Sequence, residues 1–254
     1  MCILFIAIEQ HPRYPLIIAA NRDEFYARPT QESAFWPESP ELLAGRDLQS
    51  GGTWMGVNKT GHIAALTNVR DLTRNDQDAI SRGHLVSNFL HQPQSDYEHE
   101  LRQSADQYNG YNLLYGHWRN LSVYNNINDT LQCLSAGVYG LSNAMLDTPW
   151  PKLSTGVQNL THLLATDPEQ LPEQLFKVLA DSNRAADEHL PDTGIGLTYE
   201  RALSSIFINL DNYGTRSSTV VLISDDQQLQ WYERSYDDRG TIFDTQHYEL
   251  TLQD

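Results

Sequence analysis

The chain has 254 residues, 40% hydrophobic and 10% aromatic, enough apolar material for a sizeable core and too much for an intrinsically disordered chain. A net charge of −16 repels phosphate backbones and anionic lipid, which argues against nucleic acid or a membrane surface as the main partner. No apolar run approaches the roughly 20 residues of a membrane helix. "CILFIAIE" lacks the basic flank of a signal peptide. Two cysteines, Cys2 and Cys133, are too few for a disulfide framework, so a cytoplasmic protein without membrane insertion is expected.

Residues 2–8 and 15–21 read as buried strands joined by the turn "EQHPRYP". Residues 53–58 and 62–68 read as a hairpin closed by "NKTG". From Ser81 to Gln107 the pattern turns helical, with Leu85, Val86, Phe89 and Leu90 on one face and Ser81 as its cap. Strands are expected again at 112–117, 121–124, 131–134 and 137–141. Helices follow at 153–164 and 168–180, separated by "ATDP". "NRAADEHLPDTGIG" reads as a polar loop, and strands close the chain at 205–208, 215–224, 228–235 and 248–252. With no repeat and no linker, the chain reads as a single domain over 1–254. Its strand and helix groups predict an α+β fold of two antiparallel sheets covered by helices.

Cys2 is the sharpest candidate for chemistry. Removal of Met1 would leave a thiol and a free α-amine on one residue. The amine, with an intrinsic pKa of roughly 8, can serve as general base for the thiol. The alternative is an inert cysteine packed in a core strand. "AANRDEF" closes the second strand, and an antiparallel hairpin brings Asn21, Arg22 and Asp23 back beside Cys2. Arg22 would lower the thiol pKa, and Asp23 would orient the amine. The alternative is an ordinary Arg–Asp cluster at a strand end. "GGTWMG" reads as a tight turn into a core strand, with Trp54 either packing or forming a pocket wall.

"NRDE", "GRDLQSGGTWMGVNKTG", "LTNVR", "SRGHLVSNFL", "YNGYNLLYG", "GLSNAMLDTPWPKL" and "YGTRSSTVVLI" together resemble the NRDE-motif family, also called the Transport and Golgi organisation protein 2 family, over nearly the whole chain. The resemblance implies the four-layer αββα sandwich of the N-terminal nucleophile (Ntn) hydrolases. It extends to the choloylglycine hydrolase and penicillin V acylase group, in which an N-terminal Cys is followed by an Arg and an Asp. Cys2, Arg22 and Asp23 match those roles, although the acylases keep two residues between the Arg and the Asp where this chain keeps none. By the same resemblance Asn143 donates to the oxyanion, Arg216 stands beside the thiol, and Asn21, Asn68 and Arg70 line the substrate pocket. Asn143 as a turn residue and Arg216 as a partner of an acidic neighbour are the competing readings.

The histidines show no HxxxH spacing and the cysteines no CxxC, so no metal is expected. Phosphate-cradling glycine motifs are absent, so no nucleotide cofactor is expected either. Two functions stay open: a cysteine amidohydrolase acting on a linear C–N amide bond, and a non-catalytic carrier on the same fold. The second follows from the family's link to haem and acyl-lipid trafficking, with haem or another apolar molecule as its ligand.

Overall fold

The computed structural model describes residues 2–71 and 76–253, which fall into two compact units. The first comprises residues 1–27, 136–142 and 146–250. Its strands are β1 (Cys2–Ile8), β2 (Leu16–Phe25), β10 (Gly137–Leu141), β11 (Tyr213–Ile223), β12 (Gln228–Tyr236) and β13 (Ile242–Thr251). They form one sheet in the order β10-β1-β2-β11-β12-β13. The apolar run of β1 is buried at every interior position, as a central strand requires. The helices α3 (Pro151–Leu163) and α4 (Leu171–Leu179) cover one face of this sheet.

That face is set by the two-residue period of the strands. Ile3, Phe5 and Ala7 of β1, Ile17 and Ala19 of β2, and Val220 and Leu222 of β11 pack with Leu153, Leu160, Leu175 and Leu179 of the helices. Gly156 marks the closest approach, since a Cβ there would stand 2.0 Å from the Phe5 ring. A short helix α5 (Leu197–Ala202) lies on the long connection before β11.

The second unit comprises residues 28–135, 143–145 and 251–254. Its strands are β3 (Thr30–Trp36), β4 (Ser39–Asp47), β5 (Met55–Asn58), β6 (His62–Asn68), β7 (Tyr111–His117), β8 (Asn120–Asn125) and β9 (Thr130–Cys133). They make a seven-stranded meander in chain order. Helices α1 (Gly83–His91) and α2 (Tyr97–Ser104) pack on it through Leu85, Val86, Phe89, Tyr97 and Leu101. The architecture is α+β with two antiparallel sheets, and each unit supplies one sheet and one helical layer of the four expected. Among the described residues no helix is long and apolar enough to cross a membrane.

Several local expectations are corrected. The helix expected from 81 to 107 is two helices, because Pro93 forces Gln92 out of the helical region to φ −143°, ψ 78°. Ser81 gives no side-chain cap; Arg82 stands at the cap position and the Ser81 carbonyl accepts from the His84 N–H at 3.1 Å. Strands β3 and β4 were not foreseen. Residues 205–208 form no strand: Ile206 and Ile208 are buried while the backbone closes a loop. The helix expected from 168 starts at Leu171, after a turn in which Asp167 accepts from the N–H groups of Glu169 and Gln170.

Candidate functional site

The β1–β2 hairpin positions Cys2, Arg22 and Asp23. Its turn is organised by His11, whose Nδ1 accepts from the N–H groups of Arg13 and Tyr14 at 3.1 Å each. From there the strands pair without interruption from Ile8 opposite Leu16 to Cys2 opposite Arg22. Directly opposed residues share a face and hold their Cβ atoms about 5 Å apart. Cys2 and Arg22 therefore lie together on the face of the sheet turned away from α3 and α4. Asn21 and Asp23, one residue to either side of Arg22, lie on the face that the helices cover.

Cys2 is half-buried and Arg22 is 5% exposed. Burial pushes the Cys2 thiol above its ordinary range, and the charge of Asp23 pushes the same way. The positive charge of the amino terminus, the guanidinium of Arg22 and a hydrogen bond from the Asp23 backbone pull downward without overcoming them. Arg22 pulls the thiol pKa down, and the net direction is up. The hydroxyl of Ser142, the residue after β10, donates to the Cys2 carbonyl at 3.5 Å.

Asp23 is 1% exposed, and burial raises its carboxyl above the usual carboxylate range. The positive charge of the amino terminus, Lys152 and a hydrogen bond from Thr215 oppose that rise. Thr215 Oγ1 donates to Asp23 Oδ1 at 2.8 Å and accepts from the Ile208 N–H at 3.0 Å. A bulge in β11 at Arg216 brings Thr215 opposite Asp23 while Ser217 pairs with Arg22. Arg216 itself turns to the end of β2, where its Nη1 donates to the carbonyls of Phe25 at 3.1 Å and Tyr26 at 3.2 Å. Asn21 Nδ2 donates to the carbonyls of Leu179 at 2.8 Å and Ile206 at 3.0 Å, and its Oδ1 accepts from Ser218 Oγ at 2.6 Å.

Lys152 and Thr215 were missed in the sequence. Lys152 is 5% exposed in the first turn of α3, where the helix dipole disfavours a cation. A lysine directly after the proline that starts a helix is the signal that "PWPK" carried.

The second unit holds the other expected residues. Asn143, 1% exposed, donates through Nδ2 to the Asn68 carbonyl at 3.0 Å, and its own carbonyl accepts from the Arg70 N–H at 2.8 Å. Asn68, Arg70 and Asn143 are thus one hydrogen-bonded group. Asn112 ties the same stretch down by donating to the Ala144 carbonyl at 2.7 Å. Trp54 packs over Gly45, where a Cβ would stand 2.3 Å from its ring, so the packing reading accounts for this glycine. The "GG" before it has its own reason: a Cβ on Gly52 would come within 2.5 Å of the Gly83 backbone. Among the described residues no three His, Cys, Asp or Glu side chains are grouped to hold a metal ion.

A family model described as "Transport and Golgi organisation 2" matches residues 1–238. The Transport and Golgi organization 2 homolog of Mus musculus is 35% identical over 277 residues, covering 100% of both chains. The mutant C2A conjugated bile acid hydrolase from Clostridium perfringens is similar in structure with a TM-score of 0.54, at 9% identity over 100% of this chain and 94% of that one. The Caenorhabditis elegans N-acylethanolamine-hydrolyzing acid amidase ortholog gives a TM-score of 0.51 at 12% identity, covering 87% of this chain and 92% of that one. These structural likenesses show the Ntn-hydrolase fold and leave the activity to the residues.

Proposed function

The chain belongs to the Transport and Golgi organisation 2 family, and from that premise we propose that it is an N-terminal cysteine amidohydrolase cleaving a linear C–N amide bond of a small acylated substrate. The observation that carries the reading is the register pairing Cys2 with Arg22 at the open end of the β1–β2 hairpin, with an Asp23 backbone hydrogen bond on the thiol. The mutant C2A in the name of the bile acid hydrolase marks a cysteine at the second position of that protein, the place Cys2 has here. The acid amidase is named for hydrolysing N-acylethanolamines, which are acyl amides.

Met1 lies outside the described residues, and the reading requires its removal. A thiol of ordinary pKa is mostly protonated near neutral pH, so attack needs a base, and the freed α-amine is that base. The amine takes the thiol proton as sulfur bonds to the carbonyl carbon. The tetrahedral intermediate then collapses, the C–N bond breaks, and the ammonium returns the proton to the leaving nitrogen. Water adds to the resulting thioester, releasing the acid and restoring the thiol. Asp23 holds the amine, and a reducing, cytoplasmic setting suits two free cysteines.

The test joins two measurements on protein isolated at native expression level: intact mass, and hydrolysis of N-acyl aminocoumarins of increasing chain length. A mass beginning at Cys2, with turnover abolished in Cys2→Ala, is the expected result. A mass that keeps Met1, without Cys2-dependent turnover, would overturn it in favour of a carrier.

A further inference from the structure

Residues 181–207 form a strap between α4 and β11 whose two ends meet: the Phe207 N–H donates to the Asp181 carbonyl at 2.8 Å. The strap is held internally. Ala185 N–H donates to Ser204 Oγ at 3.0 Å, Arg201 pairs with Asp187, and the buried Glu200 accepts from the N–H and hydroxyl of Thr193. Gly194 and Gly196 stand at φ 83° and 85°, a conformation that other residues rarely adopt.

Both feet of the strap are fastened to the "NRD" stretch of β2. Asn21 bridges the Leu179 and Ile206 carbonyls. The Ile208 N–H donates to Thr215 Oγ1, whose single proton goes to Asp23 Oδ1. Thr215, Asp23 and Ile208 are each 1% exposed, so solvent is not at hand to replace a lost partner.

We propose that Thr215 is a positioning residue whose hydroxyl fastens the Asp23 carboxylate to the foot of this strap, making the strap and the surroundings of the Cys2 thiol one coupled element. The proposal deepens the amidohydrolase reading and rests on it for the use made of Asp23, but its test needs no turnover. A failure of hydrolysis and a failure of this coupling are therefore separate results.

The charges acting on the thiol are the amino terminus, Asp23 and Arg22, and those acting on Asp23 are the amino terminus, Lys152 on α3 and Glu24. Thr215→Val keeps the shape and removes the donor, so the Asp23 carboxylate loses the hydroxyl that offsets part of its charge beside the thiol. Iodoacetamide alkylation of the full chain, followed by peptide mass across pH, reads this directly. The Cys2 midpoint is expected to rise by roughly half a pH unit. The exposed Cys133, in the other unit, serves as the internal control. Hydrogen exchange of the strap amides is expected to quicken by about tenfold, the loss of one hydrogen bond. Thr215→Ser, which keeps the donor, restores both. An unchanged midpoint overturns the coupling, whether or not exchange quickens, and so does a Thr215→Ser variant that behaves like valine. Thr215→Ala gives the same two readings should the valine variant not fold.

Discussion

Asp23 and Asp47 each follow an arginine, each is buried, and the two lie in different units. Their surroundings differ in which effect prevails on the carboxyl. Burial pushes the Asp47 carboxyl up, but Arg28 Nε and Nη2 donate to Oδ2 at 3.0 and 2.6 Å, and the N–H groups of Gln49 and Ser50 donate to Oδ1 at 3.0 and 3.3 Å, so the group ends below the usual carboxylate range. That carboxylate organises the "GRDLQSGG" loop, whose backbone closes through Asp47 to Gly51 and Gly52. Asp23 has the Thr215 hydroxyl on Oδ1 and the charge of Lys152 nearby, and ends above the range. Four donors outweigh burial at Asp47 and make it an anchor for its loop, whereas burial prevails at Asp23.

The comparison breaks first at Asp47. Asp47→Ala takes the acceptor from two Arg28 donors and two backbone amides and is expected to lower stability by about 2 kcal/mol, read from urea denaturation at neutral pH. Because the folded pKa is depressed, that stabilisation is present above the unfolded value of about 3.9 and is lost as pH falls through the folded value. The variant and parent curves should therefore converge in acid. A gap of constant size down to low pH would mean that packing, not charge, accounts for Asp47.

The arginines sharpen the contrast with smaller effects. Arg22→Met removes the cation opposite Cys2 and should raise the thiol's alkylation midpoint by roughly half a pH unit; an unmoved midpoint would separate Arg22 from the thiol. Arg46, the arginine of the second pair, lies over the Trp36 ring at 4.5 Å and pairs with the exposed Glu38 at 2.6 Å. Arg46→Ala is expected to change stability by about 0.5 kcal/mol or less, because screening takes most of the value of such a pair.

The strands that alternate or run apolar, β1, β2 and β5 to β8, were legible because burial writes itself into their side chains. β3 and β4 were not, since "TQESAFW" carries a glutamate, a glutamine and exposed positions along a sheet edge. "SIFI" at 205–208 misled for the opposite reason: Ile206 and Ile208 are buried without pairing in a sheet. In the site, the turn length was enough to bring Arg22 opposite Cys2. The alternation of faces was overlooked, so Asn21 was expected in the substrate pocket when its amide holds the Leu179 and Ile206 carbonyls. Thr215 and Lys152 lie far from "NRD" in the chain, and no local pattern links them to it.

The uninterrupted pairing of β1 with β2 also acts as a reading frame of two. Substitutions in this strand can be absorbed singly, but a one-residue insertion or deletion between Leu16 and Arg22 would turn every later side chain over. The arginine would be delivered to the helices, and the asparagine and aspartate to the side of the thiol. Length variation among working relatives of this chain is therefore expected to collect in the seven-residue stretch 9–15, where the hairpin turns and parity is free to reset.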